Sequence, residues 1–577
     1  MITTPDVQSS SQVKKPARAT SDTATPARFL PFGLALLSGS FLSFSFPRWE
    51  FYLLAWIGLI PLLFAIESRS FSKAFFLGWI AGAVYFAGTL SWVTISMHNY
   101  GKIPWAISYF LMLLLVSYLS VYVGLFAALL RFAAENKSGP LLLLAPLLWT
   151  TLEWIRGHFL TGFPWSDLAY SQYRFLPVIQ IADIGSVYAV GSLIVFVNAA
   201  LFLILRAAWV EKRFALKECA LALSIVLLTM AYGTFRLSQP VGQEKTLSVA
   251  VIQGNIEQDK KWDAAFRDQT VQTYKRLSLS TLQAPSRPEL IVWPESAAPF
   301  FFATEPTYQA EFTRLAREGG FYLLFGSPAF EPASPGKIAL LNSAYLLSPT
   351  TEVSFRYDKM HLVPFGEYVP LSSLLFFVHK LVEGIGEFIP GREATVMEAA
   401  STKIGTVICF EVIFPEVVRQ FVKNGAAVMT TITNDAWFGD SAASHQHFSM
   451  VVFRAVENRV PFARAANTGI SGFIDAQGNI TQRSPLFVEA ALTEQLRPGN
   501  RHTLYTLYGD FFALISVAVT LVFISTSAFI KWNAVIFRLR AYFKWNAVVS
   551  VSISNHFLGV VIFRLRAYFK RRKNHAH

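Results

Sequence analysis

Gly405-Thr406-Val407-Ile408-Cys409-Phe410-Glu411 is an apolar, β-branched run that stops on a cysteine and an acid. A run of this kind reads as a buried strand, and α/β sheets carry their reactive groups where strands end in loops. Two further stretches share the character. Ile291-Val292-Trp293-Pro294-Glu295-Ser296-Ala297 sets an acid directly after a short apolar strand. Tyr357-Asp358-Lys359-Met360-His361-Leu362-Val363-Pro364-Phe365-Gly366-Glu367-Tyr368-Val369-Pro370 carries a lysine and a second acid. Around them, strand-like segments at 247–252, 290–292, 322–325, 343–347, 404–408 and 428–433 alternate with helical patterns at 262–282, 307–318, 416–424 and 445–466. The alternation predicts an α/β domain, sheet covered by helices.

A thiol becomes a useful nucleophile at neutral pH when a base or a cation stands beside it. Glu295 has the chemistry of the base, once burial tunes its carboxyl. Lys359 has the chemistry to favour the thiolate and to stabilise an oxyanion formed by its attack on a carbonyl. Each residue also has a plainer reading: Cys409 as core, Lys359 as a solvated side chain, Glu295 as a strand-end cap. Taken one at a time, none of the three decides between the two readings. His445 and His447, two residues apart, do not share a helical face, and no ligand cluster lies near them in sequence, so no metal is expected.

Outside this segment the composition changes. The 577 residues are 53% hydrophobic and 15% charged, well short of the quarter or so of charged residues usual in soluble domains. The stretch 29–236 is nearly all apolar. Runs near 30–47, 51–67, 73–97, 104–131, 140–155, 184–206 and 216–235, and an eighth at 510–530, approach the roughly 20 residues needed to cross a bilayer. Lys14, Lys15, Arg18 and Arg28 precede the first run; Arg69 and Lys73, Arg131 and Lys137, and Arg206, Lys212, Arg213 and Lys217 follow the second, fourth and sixth. That asymmetry predicts cytoplasmic termini, with residues 237–506 on the opposite face. Residues 1–28 are predicted to be a disordered tail, and 507–530 the last span.

Of the net charge of +13, ten positive charges fall between Lys531 and Lys573, with no acid among them. A basic tail at 531–577 facing anionic lipid accounts for them better than nucleic-acid binding. The string Val-Ile-Phe-Arg-Leu-Arg-Ala-Tyr-Phe-Lys occurs twice there, at 535–544 and 561–570, and reads as a local duplication. Of the two cysteines, Cys219 lies in an apolar run, which argues against a disulfide with Cys409.

The contexts of Glu295, Lys359 and Cys409, with Gln253-Gly254-Asn255-Ile256, His361 to Pro370 and Thr433-Asn434-Asp435-Ala436-Trp437-Phe438-Gly439, resemble the nitrilase superfamily over about 245–480. With the apolar runs, the chain resembles the apolipoprotein N-acyltransferases of the bacterial inner membrane. The resemblance implies a membrane α-helical bundle of about eight transmembrane helices and an extracytoplasmic nitrilase-like α/β/β/α sandwich. It implies Glu295 as general base, Lys359 as oxyanion cation and Cys409 as nucleophile, with Glu367, Glu411 and Trp262 in support. Phe410, Trp437, Phe438, Phe376 and Phe377 are candidates to line the substrate pocket. Phe410 stands where members of the family commonly have Tyr, so a hydroxyl at that position is lost. The implied partners are a phospholipid acyl donor and a diacylglyceryl-modified apolipoprotein, with no nucleic acid and no cofactor. The apolar run 374–378 is open to two readings, a mobile arm that dips into lipid or a buried core helix. Two rival functions remain: a membrane-anchored amidase using the same three residues, and a transporter with an inactive globular domain.

Overall fold

The long apolar stretch folds as helices because lipid offers no hydrogen-bond partner to an open backbone. The computed structural model describes residues 25–135, 140–240, 242, 245–334, 337–350, 353–370, 388–499 and 502–573. Among these, five helices are long and apolar enough to cross a membrane: Phe71–Leu90, Trp105–Glu135, Ala182–Glu211, Leu216–Ser238 and Phe511–Arg540. Phe29–Phe44 and Tyr52–Ile66 are apolar but shorter. The second expected run is broken between the turn Tyr52–Trp56 and the helix Ile60–Ile66. Asn198 covers the break: its Oδ1 accepts from Leu59 N at 2.8 Å and its Nδ2 donates to Ala55 O at 2.8 Å. A broken backbone is tolerated at this depth because a buried amide satisfies it.

The helix Leu141–His158 holds Glu153 and Arg156, both buried. Arg156 pairs with Asp167 at 2.5 Å, and Glu153 accepts from Leu168 N at 2.9 Å. They fasten the loop after their own helix. The final helix does not stop at residue 530; it runs unbroken from Phe511 to Lys573, roughly 95 Å at the usual rise per residue.

The other half is a two-sheet sandwich. The strands are β1 (Leu247–Gln253), β2 (Leu290–Val292), β3 (Tyr322–Ser334), β4 (Lys337–Leu347), β5 (Val353–Asp358), β6 (Met397–Ala399), β7 (Thr402–Ile408), β8 (Val428–Thr433), β9 (Phe462–Ala466), β10 (Gly472–Ile474), β11 (Ile480–Arg483) and β12 (Ala490–Leu496). One sheet has the order β12-β1-β2-β3-β4-β5 and the other β11-β10-β9-β8-β7-β6. Strand period places alternate residues on opposite faces. Val249, Val251, Val292 and Leu346 thus join the core between the sheets. Ala250, Ile252, Ile291 and Leu347 face outward to the helices Arg267–Thr281 and Pro306–Gly319.

The second sheet is covered by Pro415–Lys423 and Ala442–Asn458, and the latter is also pressed against the membrane helices. The helical pattern at 445–466 therefore ends early. Arg459 takes a left-handed φ of 54° and Pro461 follows, after which Phe462–Ala466 pairs as β9 in parallel with β8. Both ends of the sandwich emerge together, because β12 pairs antiparallel with β1 along its whole length.

Candidate active site

Four strand ends converge on one point. Glu295 follows β2, Lys359 follows β5, Cys409 follows β7 and Asn434 follows β8. Parallel pairing of β2 with β1 and β3, and of β8 with β7 and β9, aligns these ends. The turn that carries Glu295 sits tightly on β3. A Cβ at Gly326 would lie 2.5 Å from Ser296 N and 2.7 Å from Glu295 Cα, so that position admits only glycine.

Glu295 is 7% exposed. Its Oε1 accepts from Asn342 Nδ2 at 2.8 Å, and its Oε2 accepts from Asn434 N at 2.9 Å. Lys359 is buried, with its Nζ 2.9 Å from Glu367 and 3.9 Å from Glu295 Oε1. Asn342 also donates to Glu367 at 2.8 Å, so one amide bridges the two carboxylates. Burial alone would depress the lysine, but Glu367 and Glu295 outweigh it and hold the Lys359 ammonium well above its ordinary value.

Cys409 opens a helical turn, Cys409–Ile413, with φ +53°, a left-handed conformation that costs a non-glycine residue roughly 1–2 kcal/mol. Two contacts hold it there. Glu411 Oε2 accepts from Ile408 N at 2.7 Å, while its Oε1 accepts from Tyr357 OH at 2.7 Å, Met360 N at 2.7 Å and His361 N at 3.0 Å. His447 Nε2 lies 3.1 Å from the Cys409 carbonyl. Burial and the Arg464 charge lower the His447 imidazole, while Asp435 and the Cys409 carbonyl oppose the drop. The His447 Nδ1 lies 3.0 Å from Arg464 Nη2 and 3.1 Å from Asp435 Oδ1, so the ring is held between the Cys409 carbonyl and the Arg464–Asp435 pair. Burial, helped by the Glu295 charge, pushes the Cys409 thiol well up, and Lys359 pulls only partly the other way. At rest the site therefore holds a thiol next to a carboxylate, and the thiolate must be made during attack.

A cavity of about 580 Å³ opens where the sandwich meets the bundle, lined among others by Tyr100, Lys102, Glu257, Gln258, Asp259 and Trp437. Tyr100 OH donates to Ala436 O at 2.6 Å and Ser96 Oγ to Trp437 O at 2.7 Å, so a membrane loop fixes one wall. Gln258 joins that wall to the triad, since Asn434 Nδ2 donates to Gln258 Oε1 at 2.7 Å.

Comparison with known proteins bears on this arrangement. Residues 38–200 match the family described as apolipoprotein N-acyltransferase N-terminal domain, and residues 248–501 match carbon-nitrogen hydrolase. An apolipoprotein N-acyltransferase of Geobacter metallireducens is 49% identical over 488 residues, 84% of this chain and 93% of the relative. That of Haemophilus influenzae is 33% identical over 493 residues, 84% of this chain and 92% of the relative. The chain belongs to the apolipoprotein N-acyltransferase family. It is a multi-pass membrane acyltransferase with a nitrilase-superfamily catalytic domain.

The remaining expected residues fall in different places. Trp437 is 41% exposed on the cavity wall, stacked edge-on against Tyr100 with centroids 5.0 Å apart. Phe438 turns the other way, against Trp92 and Trp165. Phe410 packs on Phe414, and Trp262 is half exposed at the end of the turn Gln258–Lys261. Phe376 and Phe377, with the run 374–378, lie outside the described residues. Sequence reasoning missed Asn342, Asn434 and His447. His447 does not read as a metal ligand, and its partner Arg464 lies 17 residues on, so no local signal joins them.

Proposed function

We propose that the chain transfers an acyl chain from a phospholipid to the α-amine of a diacylglyceryl-cysteine at the N-terminus of an apolipoprotein, through a thioester on Cys409. The observation that carries this reading is the meeting of the Glu295 carboxylate, the Lys359 ammonium and the Cys409 thiol at adjoining strand ends, in a chain of this family. Glu295 takes the thiol proton as sulfur bonds to the ester carbonyl. Lys359, held charged by Glu367, stabilises the oxyanion. The ester C–O bond breaks, Glu295 returns the proton to the departing alkoxide, and a lysophospholipid leaves. In the second half the amine attacks the thioester and gives its proton to Glu295, and the C–S bond breaks to an amide and the Cys409 thiol. The exposure of Trp437 on the cavity wall supports its reading as a residue that receives the acyl chains.

For orientation we adopt eight crossings of the bacterial inner membrane, the sandwich on the periplasmic side and both termini in the cytoplasm. The arrangement of Lys and Arg in the loops supports it. Reporter fusions after residues 240 and 573 test it: opposite compartments are expected.

Intact mass of the purified protein after incubation with a phospholipid of defined acyl chains tests the chemistry. A hydroxylamine-labile gain of one acyl chain in the wild type, absent from Cys409→Ala, is the expected result. No adduct in a folded wild type overturns the reading. An amidase using the same triad is the second reading, favoured by the carbon-nitrogen hydrolase match over 248–501; ammonia release from small amides without acyl transfer would select it.

A further inference from the structure

A second lysine is buried at the same site. Lys261 is 1% exposed, although its neighbours Lys260 and Trp262 are exposed. It closes the turn Gln258–Lys261, and its Nζ donates to the main-chain carbonyl of Glu295 at 2.9 Å. Among the described residues that is the hydrogen bond its ammonium makes. The rest of the segment is held independently: Asn467 donates to Ile256 O at 2.8 Å and accepts from Ile256 N at 2.9 Å, and Gln258 accepts from Asn434. Loss of the lysine head group therefore leaves the segment in place.

The two lysines differ in how they hold their protons. Lys359 is clamped by carboxylates and stays charged. Lys261 sits without such a clamp: burial brings it down to about 8, with Glu295 and Cys409 opposing the drop. Its proton is thus exchangeable near neutral pH, and its charge, when present, bears on both the base and the nucleophile.

We propose that Lys261 is a second positioning cation of this site: it fixes the main chain that carries Glu295, and it holds a positive charge against the Glu295–Cys409 pair. The proposal rests on the reading of those two residues as base and nucleophile. A charged Lys261 favours the thiolate while it lasts, and that help vanishes as pH rises through about 8. The other titratable groups of the site are Glu295, Lys359 with Glu367, Glu411, His361, Asp435 with Arg464 and His447 behind the nucleophile, and Glu257, Asp259 and Lys260 on the lysine's own segment. All are unchanged between the variants to be compared.

The test is alkylation of Cys409 by iodoacetamide, followed by intact mass between pH 6.5 and 9.5, on the full-length protein in detergent. A Cys219→Ala background removes the other thiol, which is exposed. Lys261→Met should react about tenfold more slowly than its parent at pH 7, one pKa unit of thiolate stabilisation, and the two rates should converge above pH 9. Lys261→Arg should match the parent below pH 8 and outpace it above. Equal rates in all three, or a deficit in Lys261→Met that does not change with pH, would overturn the proposal. If Lys261→Met does not fold, the ratio of Lys261→Arg to parent decides alone: a ratio flat across the range is the negative result. The alkylation uses neither acyl donor nor acceptor, so its outcome is independent of whether the wild type forms a lipid thioester.

Discussion

Asn342 spends both of its amide hydrogens on carboxylates, one on Glu295 and one on Glu367. Lys359 also lies between the two carboxylates, but its hydrogen bond goes to Glu367 and it stands 3.9 Å from Glu295. Replacing Asn342 by leucine removes two hydrogen bonds to charged groups, each worth about 1.5–3 kcal/mol. Asn342→Leu should lower kcat/KM for acyl transfer by roughly 10- to 100-fold, about 1.4 kcal/mol per factor of ten, with the fold intact by circular dichroism. Glu295→Gln should separate acidity from catalysis. The Glu295 charge raises the Cys409 thiol, so neutralising it lowers that pKa and increases the thiolate at any given pH. Alkylation of Cys409 at pH 8 should therefore quicken in Glu295→Gln while acyl transfer is lost; slower alkylation would mean that the charge is not coupled to the thiol. Glu295 and Cys409 were legible in the sequence as candidates because each follows an apolar strand and has a reactive head group, whereas Lys359 follows Val353–Asp358, which carries Arg356 and Asp358 and does not read as an apolar strand. Asn342 and Asn434 were not legible. They lie 47 and 139 residues from Glu295, and an amide in a polar context carries no local signal of what it will meet.

At the scale of elements, Glu411 ties the end of β5 to the end of β7. Four donors converge on a fully buried carboxylate, which burial pushes up and those donors draw back down. Glu411→Gln puts an N–H₂ against one of these donors, and an unsatisfied buried donor costs about 1–3 kcal/mol. The thermal midpoint in detergent should fall by several degrees, and thioester formation should fall with it because the Cys409 turn loses its anchor. An unchanged midpoint would show that the turn is held by His447 alone. The strands 247–252, 290–292 and 428–433 read correctly from their β-branched content. Strand β9 did not, because Phe462-Ala463-Arg464-Ala465-Ala466 has neither β-branched residues nor alternation, and it continues the apolar pattern of the helix before it. Only the left-handed Arg459 and Pro461 mark the break.

Across the whole molecule, bundle and sandwich are joined by buried charge. Asp183, in the first turn of Ala182–Arg206, accepts from Tyr232 at 2.7 Å, from Arg236 at 2.8 Å and from Arg459 at 2.7 Å. Arg459 sits just past the sandwich helix Ala442–Asn458. Asp183→Ala leaves that guanidinium buried with Gln180 as its remaining side-chain partner. Breaking a buried pair in this way costs about 3–5 kcal/mol, so unfolding in detergent, followed by tryptophan fluorescence, should shift to markedly lower temperature. Glu457 makes a parallel link, accepting from Ser186 Oγ at 2.6 Å. Apolar runs announced the bundle, yet nothing in their pattern announced these joints. A lone Asp at a helix start reads as an ordinary first-turn acid until the partner helix is in view.

The pairing of β12 with β1 also sets an order of events on the ribosome. Strand β1 follows the helix Leu216–Ser238, but one of its edges stays open until residues 490–496 have been translated, some 240 residues later. Through that interval the nascent chain is tethered by its early helices, with an unpaired apolar strand next to the bilayer, the kind of edge that invites wrong partners. The first sheet closes only as the last membrane helix begins to be made, so insertion of that helix and completion of the catalytic domain are nearly simultaneous acts of synthesis.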